Sequence, residues 1–247
     1  MEDIKKLREN LKSAFSEHVE SDQKKGVPFP PLEKGSDGKL IELSDWKTAE
    51  FSERDIVKVI SERRSRRSFT EDHLSLAQLS WLLWATQGVH EIFRQGIATR
   101  RTVPSAGARH PFETYVFAMR VQGLAPGLYR YLPIEHKLAL MRLSDELAAP
   151  LSQGCLDQPF VGDAAATFAW TAIPYRSEWR YPLTAHKIML LDAGHVCQNM
   201  YMAAESIGFG TCAVAAYDQD LMDKLIGVDG IDEFTVYVAP VGKPATR

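Results

Sequence analysis

Residues 190–218 read LLDAGHVCQNMYMAAESIGFGTCAVAAYD, and their pattern decides the fold class. Ile188, Leu191, Val196, Met200 and Ala204 recur at helical spacing, and apolar residues lie nearly all round the helix they define. Pro182 suits a first helical turn, and no breaker follows until Gly208, so the spacing predicts one long helix from Pro182 to Gly208. Such a helix is either a buried central element or a subunit seam. Gly208-Phe209-Gly210-Thr211-Cys212-Ala213 matches GxGxxA, yet a dinucleotide fingerprint needs a strand before it and a helix after it. Here the order is reversed, with a β-like run at Thr211–Ala216, and the dinucleotide reading is excluded.

Working outward, Asp218–Ile226 reads as a short helix and Phe234–Val241 as a strand. Upstream, Glu113–Arg120 and Leu128–Leu132 form a hairpin pattern about a Gly123–Gly127 turn, and Ala164–Ile173 is a buried strand. Ser52 is placed to cap a helix running to Arg63, and Ser75 one that stops at Gly88. Mixed elements without βαβ repetition indicate an α+β fold. Ile4, Leu7, Leu11, Phe15 and Val19 predict an amphipathic N-terminal helix, and the Lys-, Gly- and Pro-rich Ser21–Trp46 an irregular linker. Residues 1–50 are therefore expected to be an extension to a domain spanning 51–247.

Of the 247 residues, 45% are hydrophobic and 25% charged, the balance of an ordinary globular protein. The net charge of -3 argues against a general polyanion binder, and no nucleic-acid-binding signature is present. Cys155, Cys197 and Cys212 are far apart and form no CxxC pair, and the histidines form no HExxH, so no metal site is expected. His186 and His195 on the long helix read as structural. Neither a signal peptide nor a membrane-length apolar run is apparent, and a reducing, cytoplasmic setting is expected.

Two motifs carry chemistry. Glu62-Arg63-Arg64-Ser65-Arg66-Arg67-Ser68-Phe69 gathers four guanidinium groups and two hydroxyls at a helix end; it is either a phosphate cradle or a solvated basic patch. Thr102–Phe112 holds two prolines, a glycine and small residues just before a strand, and a loop of that kind lets backbone approach a flat ligand. A serine nucleophile elbow is excluded, because Val103 stands where GxSxG needs glycine.

Taken in order, ERRSRRSF, VPSAGARHPFETYVF with GLYRYLP, the 190–218 stretch and VYVAPVGKP resemble the nitroreductase superfamily, most nearly its SagB-type dehydrogenase branch, from about Arg54 onward. The resemblance implies a three-layer α/β/α sandwich with a mostly antiparallel sheet and a long central helix. It also implies an obligate homodimer with FMN at the subunit interface. By motif position, Arg63 and Ser65 would meet the FMN phosphate and ribityl chain and Arg67 the pyrimidine edge, while Arg64 either joins them or faces water. Pro104, Ser105, Ala106 and Gly107 would pack on the partner subunit's flavin ring. Ala215 and Ala216 would present backbone amides near N5 and O4, and Lys243 and Arg247 would complete the phosphate site.

The implied chemistry is hydride transfer through flavin N5 between NAD(P)H and a small acceptor such as a nitroaromatic or quinone. SagB-type azoline dehydrogenases carry a catalytic Lys-Tyr pair before the long helix, and here the pair is Arg180-Tyr181. Arginine cannot act as a general base, although it can stabilise an anion, whereas Tyr181 can still donate a proton. Peptide azoline oxidation thus stands as the alternative enzyme reading. A non-enzymatic polyanion-binding module is the alternative from another class.

Overall fold

Phe112–Ala118 is buried at every position, and its side chains alternate between two separate cores. The computed structural model describes residues 19–245 together with Lys12. In chain order its strands are β1 (Leu40–Glu42), β2 (Val89–Phe93), β3 (Ala98–Arg101), β4 (Phe112–Ala118), β5 (Gly127–Leu132), β6 (Lys137–Leu143), β7 (Ala166–Ala172), β8 (Gly210–Thr211) and β9 (Phe234–Gly242). Its helices are α1 (Ile56–Glu62), α2 (Leu76–Gln87), α3 (Ala148–Gly154), α4 (Pro159–Gly162), α5 (Tyr175–Glu178), α6 (Ala185–Ser206) and α7 (Gln219–Ile226). One sheet runs β1-β6-β5-β4-β7-β9-β8 with every neighbouring pair antiparallel, and β2 and β3 form a separate hairpin.

Val116 and Ala118 of β4, with Phe168 and Trp170 of β7, face a core closed by Leu79, Leu82 and Leu83 of α2 and by Val196, Met200 and Ala204 of α6. Tyr115, Phe117 and Ala169 point the other way, onto Leu151 of α3, Val161 of α4, and Met222 and Ile226 of α7. Helices on both sides of a mostly antiparallel sheet make the three-layer α+β sandwich that the resemblance implies. Each large apolar side chain so buried contributes about 1.5–3 kcal/mol.

Several boundaries move for identifiable reasons. The first helix is capped by Asp55, whose carboxylate accepts the Val57 amide, while Ser52 instead ties its amide and hydroxyl to the Ser206 carbonyl. Ser75 does cap α2, in a reciprocal capping box with Gln78. The long helix begins at Ala185, because residues 182–184 form a turn after α5. It is not buried all round, since Leu190 and Leu191 are 58% and 57% exposed, and its apolar outer face is left open. Of the Thr211–Ala216 run only Thr211 joins a strand, and Val214 makes a single bridge to Val238. The expected helix through Ile4, Leu7, Leu11 and Phe15, like Arg247, lies outside the described residues.

Ser21–Trp46 is largely irregular but docked. It contributes the edge strand β1, and a buried charge cluster holds it down. Glu113 accepts the Lys34 amide at 2.9 Å and pairs with Arg130 at 3.0 Å and Arg176 at 2.5 Å. Arg130 in turn donates to the carbonyls of Lys34 and Gly35, and Arg101 to that of Leu32. Glu33 accepts the Ile134 amide at 3.0 Å, and burial, reinforced by the Glu135 carboxyl, pushes it up to about 7. A raised carboxyl stabilises the fold in its protonated form. That contribution is complete below the ordinary carboxylate range and is lost as pH rises through about 7. Glu33→Gln should therefore shift Tm at about pH 8 upward, relative to Tm at about pH 5, by about 2–4 °C compared with the parent in calorimetry. An unchanged difference between the two melting points would count against this role.

Candidate functional site

The arginine run leaves the end of α1 in an extended path. Ser65 bridges Thr211 of β8, the Arg66 amide donates to the Thr211 carbonyl, and the Thr70 amide donates to the Lys243 carbonyl. Extended backbone alternates its side chains, which sorts the run into two sets. On one side the Ser65 hydroxyl lies 3.0 Å from the Tyr201 hydroxyl of α6, which accepts the Ala213 amide at 2.8 Å. The Arg63 guanidinium stands over the Tyr201 ring, 5.1 Å from its centroid. Tyr201 thus ties Arg63, Ser65 and the start of the 213–216 segment into one rigid corner. Arg67, at the same parity, is exposed.

Arg64 and Arg66 take the other side. They line a recess of about 520 Å³ with Glu62, Glu205, Gly208 and Phe209, and Arg64 donates back to the carbonyls of Ser61 and Arg63. Lys243 stands near the same recess, 5.6 Å from the Phe209 ring centroid. Ala215 and Ala216 are exposed, and the Ala216 carbonyl accepts from Gln158. Neither Arg63 nor Arg67 forms an ion pair among the described residues. Guanidinium groups without a carboxylate partner among the described residues, flanking a fixed hydroxyl, are a donor set suited to a phosphate.

The second half of the site is the Pro104–Gly107 loop. Gly107, Ala108 and His110 all have positive φ (62°, 55° and 45°), a conformation costly for the two non-glycine residues. Asp192 of α6, only 4% exposed, holds the loop in that state. Its carboxylate accepts the Ser105 hydroxyl at 2.6 Å and the Ala106 amide at 3.3 Å. Burial raises the Asp192 carboxyl, and those two hydrogen bonds oppose the rise. The Ser105 oxygen accepts the His110 amide, and the buried His110 ring, pushed down to about 3 by burial and then by Arg101, is 3.1 Å from the Thr99 carbonyl. A side chain at Gly107 would strike the Tyr181 hydroxyl at 2.7 Å and Arg180 Cδ at 3.0 Å, so Arg180 and Tyr181 lie directly over this loop.

The two halves are anchored at different points of one helix. Asp192 and Tyr201 are nine residues apart on α6, about 14 Å along its axis and on opposite sides of it. An apolar cavity of about 530 Å³, where Trp46 stacks on Trp84, lies between α1, α2 and α6 and takes in none of the residues nominated from sequence. Sequence reasoning missed Asp192 and Tyr201. The available signal was an acidic residue among the apolar positions of a helix, and a tyrosine nine residues beyond it.

The chain is thus a three-layer α+β sandwich with a cationic corner and a strained loop, both anchored to one central helix. The nitroreductase family model matches residues 60–243, and the chain belongs to that family. It is 34% identical over 186 residues to a Methanocaldococcus jannaschii protein named as a nitroreductase, covering 75% of this chain and 89% of that one. It is 26% identical over 142 residues to the trifolitoxin-processing protein TfxB of Rhizobium leguminosarum bv. trifolii, covering 56% of this chain and 38% of the relative. A crystal structure of a nitroreductase-type protein from Ralstonia eutropha JMP134 superposes with a TM-score of 0.68 at 25% identity, covering 89% of this chain and all of that one.

Asp192→Ala should leave the Ser105 hydroxyl and the Ala106 amide without their acceptor. The expected cost is about 1–3 kcal/mol in denaturant unfolding, with faster hydrogen exchange at Ala106. Unchanged stability and exchange would mean that the loop holds its own shape.

Proposed function

We propose that the chain is one subunit of a homodimeric FMN-dependent oxidoreductase that moves hydride between NAD(P)H and a small organic acceptor. The observation that carries this reading is the Tyr201-anchored corner, where Arg63 and Ser65 offer phosphate donors that no carboxylate neutralises among the described residues. Arg63 and Ser65 hold the phosphate and ribityl chain, and Arg67 approaches the pyrimidine edge, where a cation favours the reduced, anionic ring. Lys243 and Arg247 add charge to the phosphate end, with Arg64 behind it. The backbone amides of Ala215 and Ala216 address the N5 and O4 region.

Pro104, Ser105, Ala106 and Gly107 pack on the flavin bound by the partner subunit, so each site needs two chains. The exposed apolar side chains of α6 (Leu190, Leu191) and α1 (Ile56, Val57, Ile60) supply a surface for that pairing. Bound FMN would supply the hydride chemistry. The chain's own contribution is to hold the ring, keep one face open and present Tyr181 as a proton donor to the acceptor. The three buried free cysteines suit a reducing, cytoplasmic setting. Among the described residues no helix is long and apolar enough to cross a membrane.

The second reading, oxidation of peptide azolines beside a partner protein, is favoured by the similarity to TfxB and by Tyr181. Replacement of the lysine by Arg180 weighs against it, because a guanidinium cannot accept a proton.

Purified protein should be yellow, release FMN on heating and bleach anaerobically with NADH or NADPH. Arg63→Gln should weaken FMN binding roughly ten- to a hundredfold in fluorescence titration. Colourless protein that neither binds FMN nor quenches its fluorescence would overturn the proposal.

A further inference from the structure

Arg180 brings a positive charge over the Pro104–Gly107 loop, and among the described residues no carboxylate pairs with it. Its Nε would lie 3.1 Å from a methyl group placed on Gly107, and its Cζ stands 5.4 Å from the Tyr181 ring centroid. Arg100, Arg120, Arg130 and Arg176 form ion pairs; among the described residues Arg180 and its neighbour Arg109 do not. Arg109 sits behind, buried over the Trp179 ring at 4.9 Å, and spends donors on the carbonyls of Arg176 and Ile97. Burial, with the charges of Arg180 and Arg176, pushes Arg109 down to about 10. Two like charges backed by low-dielectric packing leave a positive potential at the half-exposed Arg180.

We infer that Arg180, with the Tyr181 hydroxyl beside it, is the recognition point for a carboxylate on the acceptor. The inference rests on the reading of the Pro104–Gly107 loop as one wall of the active site. One accessible guanidinium fork matches a monoanion, which it can grip through two parallel N–H···O bonds. Arg109 is too deeply buried to serve as a second direct ligand, and a phosphate dianion would call for one. Its charge acts through the field instead, drawing anions toward the corner. An enzyme so equipped prefers carboxylate-bearing acceptors over neutral ones of the same shape.

The test uses the FMN-loaded protein and two probes that share a reducible group, para-nitrobenzoate and para-nitrobenzamide. The ratio of their kcat/KM values should favour the carboxylate by roughly ten- to a hundredfold in the parent relative to Arg180→Gln, with Arg180→Lys in between. Added salt should shrink the preference. Equal ratios in the parent and Arg180→Gln would overturn the inference, while turnover of the neutral probe would still support the reductase reading. If neither probe is reduced, it is the reductase reading that suffers, and calorimetric titration with benzoate and benzamide then decides the inference. Tighter benzoate binding that Arg180→Gln abolishes would uphold it; benzoate binding no tighter than benzamide would sink it. Flavin content and Tm establish that the variants are folded, and if Arg180→Gln does not fold, the Arg180→Lys ratio and the salt dependence decide in its place.

Discussion

A single helix sets the geometry on which the rest depends. The Asp192 carboxylate of α6 accepts the Ser105 hydroxyl and the Ala106 amide, and nine residues later the Tyr201 hydroxyl joins Ser65 to the Ala213 amide. Because helical rise and rotation are fixed, those two contacts sit about 14 Å apart on opposite sides of the axis. A loop that would otherwise relax from its positive-φ backbone is held at one end, and a cationic corner at the other. Both are supported from beneath by the same apolar packing of α6 on the sheet.

That geometry underlies the proposal that a site is completed by two chains. Each chain holds a cationic corner and a strained loop, anchored about 14 Å apart along α6 and on opposite sides of it. In the proposed dimer a second chain brings its loop to that corner, and the exposed leucines of α6 and isoleucines of α1 are the apolar surface the proposal assigns to the pairing. The charged interior has a different task. Glu113, enclosed by Arg130 and Arg176, pins the chain between Leu32 and Gly35 across the sheet, so that residues ahead of the family-matched region are still part of the folded body.

Much of this was legible in the residues. The long helix, the Ser75 cap, the β4–β5 hairpin and the buried β7 follow from periodicity and punctuation, which are local properties. The alternation of Arg63 and Ser65 against Arg64 and Arg66 is likewise implicit in an extended run. What stayed hidden depends on partners distant in sequence. Thr211–Ala216 looks like a strand, but the Ala213 amide is taken by Tyr201. The linker looks irregular, but Leu40–Glu42 finds β6. No spacing rule announces that Glu113 will meet Arg176 rather than water, or that Asp192 will hold a loop 87 residues away.

The central claim, that a flavin site is built from the corner of one chain and the loop of another, is open to a direct test. Two variants, Arg63→Gln and Gly107→Val, each damage one half and should each bind FMN poorly as homodimers. Mixed and reassembled into hybrids, they should regain one intact site per hybrid dimer, because the sound corner of one subunit faces the sound loop of the other. Recovery of tight FMN binding in the isolated hybrid, at about half the parent stoichiometry, is the predicted result. A hybrid that binds no better than either variant alone would place both halves in a single chain and contradict the account.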